Sequence, residues 1–262
     1  MNTMQSSLIR KDLRGITANK RLLIGMICVP IALTVVVPSI FIMLVHFMPN
    51  DLNDFEAMLR KLPMGLQLDN MKNAVISLII NNIMPVFFII IPIMTASIMA
   101  ASSFVGEKEK RTLETLLYCP LSLKQIFRAK ILSSFIMSEL VAILSFILMT
   151  VVTQLEILLT TGGLLLPDIS WLVVLLLLSP AVSLIAITLI VRGSAKAQTM
   201  EESQQRSSLL VLPIIFLVVG QFTGLIFINI WVLLGLGVLL AMIAWLLMNG
   251  SFKKISYESI LR

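Results

Sequence analysis

Long apolar runs dominate this sequence and alternate with short polar connections. Six of them are close to or above the roughly 20 residues that an α-helix needs to cross a bilayer. The predicted spans are Leu22–Phe47, Ala74–Phe104, Ile131–Thr153, Trp171–Val191, Ser208–Ile228 and Trp231–Met248. The pattern therefore predicts an all-α integral membrane fold with six transmembrane helices. The last two runs are joined by very few residues, so they form either a tight hairpin or partly re-entrant segments.

Several of these runs contain prolines. A proline inside a transmembrane helix kinks or loosens it, because the ring removes a backbone donor and crowds the preceding turn. We expect such irregularities at Pro30, Pro38, Pro85, Pro92, Pro180 and Pro213.

The composition agrees with a membrane protein. Hydrophobic residues make up 58% of the chain and charged residues 13%, whereas soluble domains contain about half apolar and a quarter charged residues. The net charge of +6 comes from residues at the ends of the apolar runs. This distribution indicates contact with lipid headgroups and argues against nucleic acid as a partner.

The N-terminal segment, residues 1–21, differs from the remainder of the chain. Its apolar residues Ile9, Leu13 and Ile16 recur at helical spacing, with basic residues on the other faces. Such a pattern predicts an amphipathic helix that lies flat on the membrane surface. Residues 22–262 then form one six-helix membrane domain.

The distribution of basic residues predicts the orientation. Seventeen of the twenty Lys and Arg residues lie in the N-terminal segment, the loop 105–130, the connection after the fourth run and the C-terminal tail. Basic residues accumulate on the cytoplasmic side of membrane proteins. Both termini are therefore predicted to be cytoplasmic.

The loop 105–130 has helical features of its own. Leu113, Leu116 and Leu117 share one helical face, and Pro120 ends that helix. Ser122 and Gln125 then form a capping box that starts the helix leading into the third span. A helix, a break and a second helix at the inner membrane face can dock into a groove of a soluble partner. The alternative is a solvated charged loop that only follows the distribution of basic residues.

Few polar side chains fall inside the predicted spans. Glu139 lies eight residues into the third, and an ionised carboxylate there costs roughly 2.5–3.5 kcal/mol unless it faces protein or water. Ser134, Ser138 and Ala142 form a row of small residues beside it, which allows close helix approach. Glu139 therefore either lines a translocation path or packs at a helix interface. The same two interpretations hold for Asn81, Asn82 and Gln221.

The loop residues resemble a known signature. The run from Glu107 and Glu109 through Thr112-Leu113-Glu114 and Leu116-Leu117 to Pro120-Leu121-Ser122, followed by Lys130, is similar to the signature loop of ABC-2-type permeases. Arg111 stands where that family commonly has glycine. The stretch 195–205, leading into Pro213, resembles the family's second cytoplasmic loop.

The resemblance implies a permease subunit of an ATP-binding cassette exporter. The loop would be a coupling helix in the cleft of a separate ATPase subunit, which binds ATP and Mg²⁺. Two permease chains, as a homodimer, and two ATPase chains would move substrate outward across a prokaryotic plasma membrane by alternating access. The coupling residues so implied are Glu107, Glu109, Thr112, Leu113, Glu114, Leu116, Leu117, Pro120 and Ser122.

No motif in the chain indicates catalysis. The sequence contains no G-x-x-x-x-G-K-[ST], H-E-x-x-H or G-x-S-x-G. His46 has no Cys or carboxylate cluster beside it, so no metal site or resident cofactor is predicted. Two other functions remain open, an ion-driven secondary transporter and a non-transporting membrane scaffold or immunity protein. The resemblance does not select among peptides, antibiotics, lipids, polysaccharides and ions as substrates.

Overall fold

The computed structural model describes residues 3–47, 71–109, 112, 121–194, 197–223 and 229–254. Within these residues the chain forms twelve α-helices and three π-helical turns and contains no strand. In chain order the α-helices are α1 (Thr3–Ala18), α2 (Lys20–Ile31), α3 (Val37–Phe47), α4 (Met71–Leu78), α5 (Met84–Phe88), α6 (Ile90–Glu109), α7 (Leu123–Thr161), α8 (Ser170–Val173), α9 (Ser179–Gly193), α10 (Met200–Ser208), α11 (Val211–Phe222) and α12 (Ile230–Lys254).

Six helical stretches are long and apolar enough to cross a membrane, which confirms the predicted all-α fold with six spans. Some of them contain more than one helix because a π-helical turn or a short break interrupts them. Spans 1 to 6 are Leu22–Phe47, Asn73–Glu109, Leu123–Thr160, Ser170–Gly193, Met200–Gln221 and Ile230–Ser251.

Spans 2 and 3 are longer than the apolar runs from which they were predicted. The helix of span 3 begins eight residues before the run, where the Ser122 N–H donates to Gln125 Oε1 at 3.0 Å. This bond confirms the predicted capping box. The same helix continues past Thr153, the predicted end of the span, to Thr161. A run of apolar residues marks only the apolar part of a helix, so it underestimates the length of a helix with polar ends.

The three π-helical turns share a position relative to proline. They cover Ala32–Val36, Ile79–Ile83 and Val174–Leu178, and each ends two residues before a proline, namely Pro38, Pro85 and Pro180. A proline has no N–H to offer the carbonyl four residues earlier, and its ring crowds that carbonyl. A π-helical turn inserts one extra residue there and relieves the crowding. The π-helical turns thus confirm the predicted irregularity at three prolines, and breaks at Ile89 and at 209–210 precede Pro92 and Pro213.

Spans 2 and 4 form the centre of the bundle, and most of their residues are buried, whereas no more than 22% of the most apolar part of any other span is buried. Trp171 illustrates the centre: it is 1% exposed, packs edge-on against Phe88, and donates its Nε1–H to the Ile80 carbonyl at 3.2 Å. By contrast, span 3 presents Ile136, Leu140 and other apolar side chains outward. An exposed apolar surface of this kind is what lipid contact requires.

The N-terminal helix α1 packs against the spans. Leu8 and Ile9 contact Ile126 and Ala129 at the start of span 3. Ile16 is buried in a second cluster with Met26, Ile98 and Met99. The predicted amphipathic helix is therefore present, and protein covers much of its apolar face. The end of the bundle at which α1 and the loop 105–130 lie is called the basic end below.

Candidate functional site

A buried ion-pair cluster lies where span 2 ends and span 3 begins. Glu107 Oε2 is 2.7 Å from Lys130 Nζ, and Glu107 Oε1 is 2.9 Å from Lys11 Nζ of α1. Lys130 is only 2% exposed, and its ammonium also donates to the Ser103 carbonyl and lies 5.5 Å from the centroid of the Phe104 ring. A buried ammonium is tolerated only when it is paired and hydrogen-bonded, and both conditions are met.

Asp12 of α1 also connects that helix to spans 2 and 3, through the hydroxyl groups of two serines. Its Oδ2 accepts from Ser103 Oγ at 2.8 Å and from Ser133 Oγ at 3.3 Å. Asp12 follows Leu8 by four residues along α1, so it shares the buried face of that helix. The set of Lys11, Asp12, Ser103, Glu107, Lys130 and Ser133 is called the Glu107 cluster. It joins α1 to the adjacent ends of spans 2 and 3.

The chain immediately after Glu107 is also held by hydrogen bonds. The Glu107 carbonyl accepts from the Thr112 N–H at 2.9 Å and from Thr112 Oγ1 at 3.3 Å. Glu109 is exposed, and its Oε2 accepts from the Met200 N–H at 3.2 Å. The described parts of the two loops singled out in the sequence, 105–130 and 195–205, therefore meet at the basic end.

The structure describes four of the nine predicted coupling residues, Glu107, Glu109, Thr112 and Ser122. All four take part in hydrogen bonds or ion pairs within the chain at the two ends of the loop. The other five lie outside the described residues: Leu113, Glu114, Leu116, Leu117 and Pro120.

Only Glu107 of this cluster was among the predicted site residues, and Lys130 stood in the signature run. The other four members were not singled out in the sequence: Lys11, Asp12, Ser103 and Ser133. Lys11 and Lys130 contributed to the count of basic residues, but nothing in their spacing distinguishes a buried lysine from a headgroup contact. The one local signal was Asp12, an acidic residue on the apolar face of a basic helix.

Glu139 connects span 3 to span 4. Its Oε2 accepts from Ser179 Oγ and its Oε1 accepts from Ser183 Oγ, both at 2.9 Å. The predicted row of small residues next to Glu139 is buried: Ser134, Ser138 and Ala142 are each 0% exposed. Ser138 Oγ donates to the Pro92 carbonyl at 3.0 Å, so this row brings span 3 close to span 2.

The predicted amide side chains connect span 2 to spans 4 and 5. Gln221 Nε2 donates to the Asn82 carbonyl at 3.0 Å, and Gln221 is 2% exposed. Asn81 Oδ1 accepts from the Asp168 N–H at 3.0 Å, just before span 4 begins. The contacts of Asn82 and Gln221 are typical of hydrogen bonds that hold neighbouring helices together.

Glu139 and the amides lie at different depths of the bundle. Thr95 of span 2 is level with Ser138, because their hydroxyl oxygens are 3.2 Å apart. Asn81 lies fourteen residues before Thr95, which is about 21 Å along a helix. The four residues predicted to line one path therefore do not come together in one site within this chain.

A second carboxylate lies within span 3 and was not identified from the sequence. Ser39 Oγ of span 1 donates to Glu156 Oε1 at 2.5 Å. The predicted span ends at Thr153, so Glu156 lies outside it. Helical spacing of Val152, Leu155 and Leu159 across that boundary was the available signal.

An apolar cavity of about 190 Å³ lies between spans 2, 4, 5 and 6. Its walls include Ile93, Val182, Ile214, Leu217 and Leu236. None of Glu139, Asn81, Asn82 and Gln221 lines it. In the part of the chain that the structure describes, no three His, Cys, Asp or Glu side chains are placed together as metal ligands.

Comparison with known proteins identifies the family. No curated protein and no solved structure matches the chain significantly. The family model of the ABC-2 family transporter proteins matches residues 6–230, which include most of α1, the loop 105–130 and spans 1 to 5. The match therefore covers the Glu107 cluster and both basic-end loops. This chain belongs to the ABC-2 family of transporter proteins.

Proposed function

We propose that this chain is the membrane-spanning subunit of an ATP-driven exporter. It works as a homodimer with two separate ATPase subunits in a prokaryotic plasma membrane, with both termini in the cytoplasm. Family membership and the six apolar spans support a permease. The chain has no phosphate-binding loop of the Walker type, which supports assigning ATP hydrolysis, and the ATP and Mg²⁺, to the partner.

The observation that carries this proposal is the position of the Glu107 cluster. The Glu107–Lys130 pair closes the base of the loop 107–130, and Lys11 and Asp12 attach α1 to the same point. A partner that moves the loop would therefore move the ends of spans 2 and 3 and α1 together. Because the Glu107 carboxylate contacts two lysines of its own chain, we assign it to holding the loop, and we assign partner contact to the segment 113–120.

The transport cycle follows from these two roles, with Glu107 holding the loop and the segment 113–120 contacting the partner. When ATP binding brings two ATPase subunits together, the two loops move with them, and the permease chains change from inward-open to outward-open. Glu139 connects spans 3 and 4 through two serine hydroxyls, so it is our candidate for a residue whose contacts change as the path opens. Asn81, Asn82 and Gln221 are assigned to helix packing.

A co-purification experiment tests the proposal. The tagged chain is isolated from its native membranes in mild detergent, beside a Glu114→Arg, Leu117→Asp variant and a conservative Glu114→Asp, Leu117→Met control. We expect an ATPase with a Walker A motif to co-purify with the wild type and the control and to be absent from the charge-reversed variant. If no ATPase co-purifies, or if all three bind it equally, an ion-driven transporter or a membrane scaffold replaces the exporter.

A further inference from the structure

The end of span 2 also packs closely against α10, the first helix of span 5. Ser207 Oγ donates to Ser97 Oγ at 2.7 Å, and this bond is buried. Closer to the basic end, Met200 lies over Gly106, where a Cβ atom would be only 3.0 Å from Met200 Sδ. Gly106 therefore allows α10 to approach span 2 closely. The contact extends from Ser97 to Glu109 along span 2.

Glu109 completes this contact at the start of α10. The helix provides part of its own cap, because Thr199 Oγ1 accepts from the Glu202 N–H at 3.2 Å. The Met200 N–H, also in the first turn, has no acceptor within a regular helix. Glu109 supplies that acceptor from span 2, and a carboxylate is favoured at a helix N-terminus.

The order of the helices along the chain means that this contact links the base of the loop to span 5. The helix α10 is followed after a short turn by α11, and together they form span 5. Glu109 and Gly106 flank Glu107, the residue that closes the base of the loop. Any movement of that base is therefore applied directly to α10, the first helix of span 5.

We infer that the end of span 2 and α10 move as one rigid unit, with Glu109 as a positioning residue that joins the base of the loop to span 5. The inference rests on the proposed function only in assigning the movement to an ATPase. The loop then drives three spans, 2, 3 and 5.

A disulfide cross-link tests the rigid unit. In a Cys28→Ser, Cys119→Ser background, the Ser97→Cys, Ser207→Cys pair is oxidised in membranes, with each single-cysteine variant as control. We expect the pair to cross-link equally in the resting and the ATP–vanadate-trapped complex, and the ATPase rate to be the same before and after reduction. A failure to cross-link at rest, cross-linking in one state only, or a several-fold inhibition reversed by reductant would overturn the inference.

Amide hydrogen exchange tests the role of Glu109. Loss of one charge-assisted hydrogen bond should speed exchange in residues 199–203 about fivefold in Glu109→Ala. Glu109→Gln keeps an acceptor and should restore part of the protection, and Gln205→Ala, an exposed residue of the same helix beyond its first turn, should leave exchange in residues 199–203 unchanged. Exchange at the wild-type rate in Glu109→Ala would refute the assignment.

The two proposals fail in distinguishable ways. The cross-link in the resting state and the exchange rates need no ATPase. They therefore test the contact between span 2 and α10 even if no ATPase binds the wild type and the exporter assignment fails. Glu109→Ala should still co-purify with the ATPase. If that variant loses the ATPase, Glu109 contacts the partner directly and is not a positioning residue.

Discussion

Lys130 and Glu107 stand twenty-three positions apart, at opposite ends of one loop, yet their side-chain atoms are 2.7 Å from each other. Lys130 comes from the first turns of span 3 and Glu107 from the last turn of span 2. The ion pair thus links the two spans directly, across the base of the loop that connects them in sequence. A buried pair of this kind changes the free energy of folding little while both partners are present. Removal of one partner strongly destabilises the protein, because the other charge is left buried and unpaired.

Lys130→Met should destabilise the protein, because Glu107 then keeps only Lys11, a much more exposed partner. We expect the free energy of unfolding to fall by about 3 kcal/mol or more, as for other broken buried pairs. Thermal unfolding of the detergent-solubilised protein, followed by tryptophan fluorescence, measures the change.

Two further variants make this result specific. Lys124→Met removes an exposed lysine from the same helix and should leave the melting temperature nearly unchanged. The Lys130→Met, Glu107→Leu variant removes both charges and should recover much of the loss. Equal melting temperatures for Lys130→Met and Lys124→Met would contradict the structural role of the pair.

Removing the two serine hydroxyls that bond Glu139 should lower the stability more than removing the hydroxyls and the carboxylate together. Ser179→Ala with Ser183→Ala leaves a carboxylate within the bundle without these donors, which should cost about 1–3 kcal/mol. Adding Glu139→Leu removes the unsatisfied carboxylate, so the triple variant should be the more stable one. Thermal unfolding compares the two, with Ser145→Ala as a control in span 3. A triple variant that is less stable than the double would contradict the assignment.

Two glycines of span 6 should respond oppositely to alanine. A Cβ at Gly237 would overlap Leu177 Cδ2 of span 4 and lie 2.7 Å from Leu177 Cγ, whereas a Cβ at Gly235 meets no atom within 4 Å. Gly237→Ala should therefore destabilise by about 1–3 kcal/mol through overpacking, and Gly235→Ala should be neutral or stabilising by up to about 1 kcal/mol. Melting temperatures measure both, and a neutral Gly237→Ala would show that spans 4 and 6 do not approach here.

The apolar cavity predicts a similar contrast within span 4. Val182 lines the cavity of about 190 Å³, so Val182→Leu adds a methylene group where space exists and should change stability by less than about 1 kcal/mol. Val174 is 0% exposed and packed in the core, so Val174→Leu should cost about 1–3 kcal/mol. Thermal unfolding again compares the pair. A larger loss in Val182→Leu would mean that the cavity is closed in the membrane.

Features that depend on a few neighbouring residues could be predicted from the sequence. The six spans follow from the length of apolar runs, the start of α7 follows from Ser122 and Gln125, and irregular helix follows from proline. Each is decided within one or two turns of the chain. The row Ser134, Ser138 and Ala142 was predictable for the same reason, because small residues at a spacing of four always share a helix face.

Features that depend on how helices lie beside each other could not be predicted. Nothing in the sequence indicates that Glu107 pairs with Lys11, or that Glu139 accepts hydrogen bonds from two serines of span 4. It also places Glu139 and Asn81 in one candidate path, although the levels of spans 2 and 3 separate them by roughly 20 Å. Such relationships need the relative heights of the helices, which one-dimensional spacing does not contain.

The three π-helical turns have a consequence for length variation within the family. Each contains one residue more than the α-helical turn it replaces, so deletion of one residue from Ile79–Ile83 would convert that turn to α-helix. The segments on either side would keep their own faces against the same neighbours. Relatives of this chain should therefore differ by single-residue gaps at these turns, inside membrane spans where gaps are otherwise rare.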